Sequence, residues 1–86
     1  MFWRPGCGFC AMLERGLSAV GLEYERRNIW EDAEAAEFVR LVNNGNETVP
    51  IVVIGTDVYT NPPASFVLEK LGIDPPKGPF ARILDR

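Results

Sequence analysis

Histidine is absent from this 86-residue chain, and cysteine occurs only twice. With no histidine and no third cysteine, a single copy is poorly equipped to build a four-ligand zinc site, and no metal is expected. Long apolar runs are missing as well. Phe9 to Leu13 and Ile51 to Ile54 are the longest, far short of the about 20 residues that cross a bilayer. The opening Met1-Phe2-Trp3-Arg4-Pro5 has no signal-type apolar region, so the expected address is cytoplasmic, with no membrane partner. Nor is there a basic excess: nine Lys and Arg stand against twelve Asp and Glu, for a net charge of -3. The basic residues are scattered rather than striped along one face, which argues against nucleic acid and leaves small molecules or proteins as partners. Repeats and low-complexity tracts are lacking too. What remains is one small domain, 47% hydrophobic and 24% charged, the balance of a folded soluble protein.

The spacing of the apolar residues sets out the elements. Cys10, Leu13, Leu17 and Val20 recur at i, i+3, i+7 and i+10, so a helix starts at or just after Cys7 and stops near Gly21. Leu22 to Ile29 is rich in charge and suits an edge strand. Asp32 is a candidate N-cap for a second helix, whose stripe is Ala35, Phe38, Val39 and Val42, widened by Leu41, and which ends at Asn43-Asn44-Gly45. Pro50 to Ile54 is apolar on both faces, as a central strand is, and Gly55-Thr56-Asp57 turns it into a strand over Val58 to Thr60. Asn61 followed by Pro62-Pro63 predicts an N-cap and the first turn of a third helix, with Ala64, Val67, Leu68 and Leu71 buried and Gly72 at its end. With Met1 to Trp3 as a first strand, the order is β-α-β-α-β-β-α. The body is expected over residues 1–72 and a proline-containing tail over 73–86, in which Phe80, Ile83 and Leu84 could dock on the body.

The two cysteines fall together, in Gly6-Cys7-Gly8-Phe9-Cys10. A disulfide enclosing two residues constrains an unfolded chain little, and a reducing compartment does not favour it as a staple. Chance puts two cysteines at this spacing in about 2 of 100 placements, so the pair reads as reactive. A thiol reacts as its thiolate, which the unpaired N–H groups and dipole of a helix N-terminus stabilise. Cys7 is in that place and Cys10 lies one turn in, on the buried stripe, so Cys7 reads as nucleophile and Cys10 as resolver. Sharing of the pair as metal ligands between two chains is the alternative, and accident the remaining one.

Thr48-Val49-Pro50 is a second signal. Proline opening a central strand is unusual, and a cis bond before it would present the backbone N–H and C=O of Val49 to a peptide-like ligand.

From Trp3 to about Gly72 the chain resembles the glutaredoxins of the thioredoxin fold, and their mycoredoxin-like branch above all. The carrying motifs are C-G-F-C opening a helix, A-E-A-A-E-F-V in the second helix, N-N-G-N-E-T-V-P-I-V-V, and Y-T-N-P-P before the last helix. The resemblance implies a thioredoxin-like α/β fold, a four-stranded mixed sheet flanked by three helices. It implies that Cys7 attacks and Cys10 resolves, that Pro50 is the cis-proline, and that Thr48 and Val49 clamp the bound thiol. In that topology Cys7, Trp30 and the segment Thr48 to Pro50 lie at one edge of the sheet. Tyr59, Thr60 and Asn61 would close a groove there, although Tyr59 is equally readable as core. Arg4 stands where glutaredoxins often carry a lysine that stabilises the thiolate and holds a carboxylate of the thiol.

The implied activity is thiol–disulfide exchange on mixed disulfides between proteins and a low-molecular-weight thiol, mycothiol or otherwise glutathione. Where glutathione-using relatives carry Gly-Gly and acidic or hydroxyl residues before the last helix, this chain has Thr60-Asn61-Pro62, which points to mycothiol. A nicotinamide-dependent reductase is the expected electron source, and the monomer the expected state. Two rivals stay open: a dimeric iron–sulfur cluster carrier, which the pliable Gly8 permits, and a thioredoxin-like protein disulfide reductase that needs Cys10 at every turnover.

Overall fold

The computed structural model describes residues 1–74. Its first helix, α1 (Gly8–Ser18), begins at Cys7, the N-cap, whose extended backbone turns the chain and whose Sγ accepts the Cys10 N–H. Cys10, Leu13 and Leu17 form the buried stripe. Past Ser18 the chain reverses at Gly21, where φ is 68° and the Leu22 N–H reaches back to the Leu17 carbonyl at 3.2 Å. That is the left-handed exit that glycine allows at least cost.

Strand β1 (Phe2–Trp3) pairs in parallel with β2 (Arg27–Asn28), which lies at the sheet edge as its charge predicts. The ladder is much shorter than the Leu22 to Ile29 run suggests, because β1 offers only two residues to pair with. Flanking bonds lengthen the pairing slightly: the Arg27 N–H donates to the Met1 carbonyl at 2.8 Å and the Ile29 N–H to the Trp3 carbonyl at 2.9 Å. The unpaired stretch ahead of β2 is tied to α1 by side chains instead. The Tyr24 hydroxyl donates to Glu14 Oε1 at 3.2 Å, and Arg26 forms an ion pair with the same carboxylate while its guanidinium covers the Trp3 ring.

Helix α2 (Ala33–Val42) is capped by Asp32, which accepts the Ala35 N–H at 3.1 Å. Its inner face is narrow: Ala35, Ala36 and Val39 are buried and the Phe38 ring stacks on Phe2. The expectation that Leu41 widens this face is corrected, since Leu41 is 74% exposed. Two residues beyond Val39 at 100° per residue, it points nearly opposite to the face that meets the sheet.

Strands β3 (Ile51–Ile54) and β4 (Asp57–Thr60) make the expected hairpin, and the sheet order is β2-β1-β3-β4 with β3 antiparallel to both neighbours. Alternation along β3 divides the core. Ile51 joins Cys10, Ile29, Val49 and the α2 residues on one face, while Val52 joins Leu13 and Leu17 of α1 with Val67 and Leu68 of α3 (Ala64–Leu71) on the other. The sequence reading that Asn61 caps α3 is also corrected. Pro63 is the N-cap and makes no side-chain cap, because Asn61 is held upstream in the left-handed region, φ 51°, with its N–H on the Pro50 carbonyl at 2.7 Å. Gly72 closes α3 at φ 70°, as read. Packing runs one residue further: the Ile73 N–H donates to the Leu68 carbonyl at 2.9 Å and its side chain joins the second core. Phe80, Ile83 and Leu84 lie outside the described residues.

Helices α1 and α3 cross at Gly16, where a Cβ would overlap the Ala64 methyl. That contact holds α3 against α1, and hence fixes where β4 and the Thr60-Asn61 segment emerge relative to the α1 N-terminus.

Candidate active site

Cys7 and Cys10 are joined as a disulfide, with their Cα atoms 5.2 Å apart. The two sulfurs are not equivalent. Cys10 is 1% exposed, packed with Val49, Ile29 and Ile51, whereas Cys7 is half-buried. Of the two, Cys7 is the more accessible sulfur. The loop ahead of the pair explains the presentation: Pro5-Gly6 makes a turn in which Gly6 takes φ 76°, and the chain enters α1 with Cys7 at its cap. The Cys10 N–H points at Cys7 Sγ from 3.1 Å. In the reduced protein the same N–H, with the rest of the first helical turn, faces a thiolate at that sulfur.

Opposite Cys7 lies the Val49–Pro50 bond, which is cis. The Val49 carbonyl oxygen is 3.8 Å from Cys7 Sγ. The segment is pinned on both sides of Val49: the Thr48 carbonyl accepts Asn43 Nδ2 at 3.1 Å, and the Pro50 carbonyl accepts the Asn61 N–H at 2.7 Å. Thr60 joins the same set, its hydroxyl donating to Asn43 Oδ1 at 3.1 Å. The structure thus brings Cys7, Cys10, Thr48, Val49, Pro50, Thr60 and Asn61 into one connected arrangement, built from α1 and the adjoining ends of β3 and β4.

Other residues singled out by sequence fall differently. Arg4 is exposed between β1 and the turn and makes no hydrogen bond or ion pair among the described residues, so its charge is uncommitted. The Trp30 ring is largely exposed at the end of β2, beside the Cys7 end of β1. Tyr59 is not a free wall of the groove: it packs edge-on against Phe66 of α3, with ring centroids 4.9 Å apart. Asn43 is the residue that sequence reasoning missed. It reads there only as a helix terminator, and nothing in a single sequence separates an asparagine that ends a helix from one that also braces two strands.

A cavity of about 630 Å³ lies elsewhere, lined by Leu17, Leu22, Tyr24, Val52, Ile54 and Val67 among others, and no residue of the cysteine site contributes to it. Among the described residues there is no cluster of three or more potential metal ligands, and no helix is long and apolar enough to cross a membrane.

The glutaredoxin family model matches residues 1–59 of the chain. Among curated proteins, "Putative glutaredoxin Rv3198A" of Mycobacterium tuberculosis H37Rv is 42% identical over 66 residues, covering 76% of this chain and 79% of that one. "Mycoredoxin 1" of Corynebacterium glutamicum is 39% identical over 66 residues, covering 76% of this chain and 81% of its own length.

Proposed function

The chain belongs to the glutaredoxin family and is a thiol–disulfide oxidoreductase, and on that premise we propose that it frees protein thiols from mixed disulfides with mycothiol in the cytoplasm. The observation that carries the reading is the asymmetric pair, a reachable Cys7 at the cap of α1 joined to a Cys10 that is 1% exposed. Cys7 thiolate attacks the mycothiol sulfur of the mixed disulfide. The new Cys7–mycothiol bond forms as the bond to the protein sulfur breaks, and the protein leaves as a thiolate that takes a proton from solvent. A second mycothiol thiolate then attacks the sulfur held on Cys7, giving mycothiol disulfide and regenerating Cys7. Alternatively Cys10, after losing its proton, attacks Cys7 Sγ, expelling mycothiol and forming the Cys7–Cys10 disulfide. Either route consumes two electrons, supplied ultimately by a nicotinamide-dependent reductase. An exchange potential of roughly -200 to -230 mV suits this work.

In this reading Thr48, Val49 and Pro50 clamp the bound thiol along its backbone, Thr60 and Asn61 meet its far end, and Arg4 adds positive charge beside Cys7. Mycothiol is favoured over glutathione by Thr60-Asn61-Pro62 at the mouth of α3 and by the likeness to a protein named mycoredoxin. The enzyme works as a monomer. Turnover with mycothiol, glutathione and a thioredoxin reductase system, compared side by side, tests it: the highest kcat/KM is expected with the mycothiol mixed disulfide. A glutathione preference returns the chain to the ordinary glutaredoxins, and turnover by the thioredoxin reductase system alone makes it a dithiol protein reductase.

A further inference from the structure

Asn43 bonds two groups whose chemistry leaves it a single orientation. The Thr48 carbonyl has no hydrogen to give, so the amide nitrogen of Asn43 must face it, as it does at 3.1 Å. Oδ1 is thereby turned to Thr60, and because an amide oxygen only accepts, the Thr60 hydroxyl must donate, as it does at 3.1 Å. The one hydrogen of that hydroxyl is spent. Thr60 is nonetheless exposed, and toward solvent or a ligand its oxygen presents lone pairs alone.

From this we propose that Asn43 is a specificity-determining positioning residue, which sets Thr60 as an obligate hydrogen-bond acceptor and so selects a thiol that presents a hydroxyl to Thr60 over one that presents a carboxylate there. A sugar or inositol hydroxyl brings its own hydrogen to Thr60. A carboxylate has none, and meets lone pairs with lone pairs. The bond is placed to act on the bound thiol, because Thr60 is paired with Ile51 next to Pro50, and the neighbouring Val49 carbonyl is 3.8 Å from Cys7 Sγ. Asn43 itself need touch no substrate; it works through Thr60, and through Thr48 it also steadies Val49.

The inference rests on the thiol-exchange reading above, and the test separates the two. Four proteins are compared: the parent, Asn43→Ala, Thr60→Val and the double variant. Each is assayed with one peptide thiol blocked either by mycothiol or by glutathione, with the denaturation midpoint and the rate of Cys7 alkylation by iodoacetamide measured in parallel. In Asn43→Ala the Thr60 hydroxyl is free to rotate and donate, so the ratio of kcat/KM for mycothiol over glutathione should fall about 3- to 10-fold, chiefly through KM, with alkylation of Cys7 unchanged. In the Thr60→Val background the same Asn43 change should leave the ratio where it is. Equal losses on both substrates from Asn43→Ala, tracking the loss of stability, would make Asn43 a structural brace and overturn the proposal. A ratio shift that persists without the Thr60 hydroxyl overturns it too. If the parent turns over neither blocked peptide, the exchange reading itself has failed, and this inference with it.

Discussion

Cys7 and Cys10 carry the same thiol, yet one caps a helix within reach of solvent and the other is 1% exposed three residues on. The proposed roles, Cys7 as nucleophile and Cys10 as resolver, rest on that difference in access. In Cys7→Ser all exchange activity should vanish, because a hydroxyl is un-ionised at neutral pH and cannot stand in for the thiolate. In Cys10→Ser the reduction of thiol-blocked peptides should survive while reduction of protein disulfides through the dithiol is lost; loss of both would show that every turnover passes through Cys10. A second residue with a measurable signature is Tyr24. Its pKa is raised above the ordinary 10.0, first by burial and then by the Glu14 carboxylate that its hydroxyl bonds. The folded state therefore holds the phenolic proton more tightly than the unfolded one. That stabilisation is complete below about pH 10 and is lost as pH rises through the folded-state value. Urea midpoints on either side of that window should fall in the parent, and the fall should be smaller in Tyr24→Phe, which has no proton to lose.

At the scale of elements, the decisive contact is the crossing of α1 and α3. Glycine inside a helix is costly, and Gly16→Ala judged on propensity alone should stabilise α1 by about 1 kcal/mol. The structure reverses the sign, since the added methyl would overlap the Ala64 methyl. Overpacking of this kind costs about 1–3 kcal/mol, more than the propensity gains. Gly16→Ala should therefore lower the urea midpoint, and adding Ala64→Gly should recover much of the loss by clearing the space. A midpoint that rises in the single variant would mean that the helices do not meet at this point. Because α3 follows Thr60 and Asn61, a shift of α3 should also raise KM for the blocked peptide before the protein unfolds.

For the molecule as a whole, exchange chemistry and cluster carriage make different demands on the same pair of cysteines. One buried and one half-buried cysteine per chain leave a cluster to be shared by two chains through Cys7 and two added thiols. Anaerobic incubation with iron, sulfide and mycothiol should leave the protein colourless and monomeric by light scattering. A brown dimer with charge-transfer absorbance would make it a carrier.

The element order, the start of α1 at Cys7, the Asp32 cap of α2, the edge position of β2 and the closeness of the two cysteines could all be read from the sequence, because each depends on short-range periodicity or on the chemistry of a single side chain. The Leu22 to Ile29 run, Leu41 and Asn61 could not. How much of a strand pairs depends on its neighbour, and β1 is two residues long. Which face of a helix is buried depends on how wide a surface the sheet offers it. Whether an asparagine caps the helix that follows depends on what else can claim its backbone, and here the Pro50 carbonyl does. The same holds for the site. Local sequence marks Cys7 as nucleophile, but the bonds from Asn43 to Thr48 and to Thr60 join residues 5 and 17 positions apart, and only the packing of α2 beside the β3–β4 hairpin brings those groups within reach of one amide.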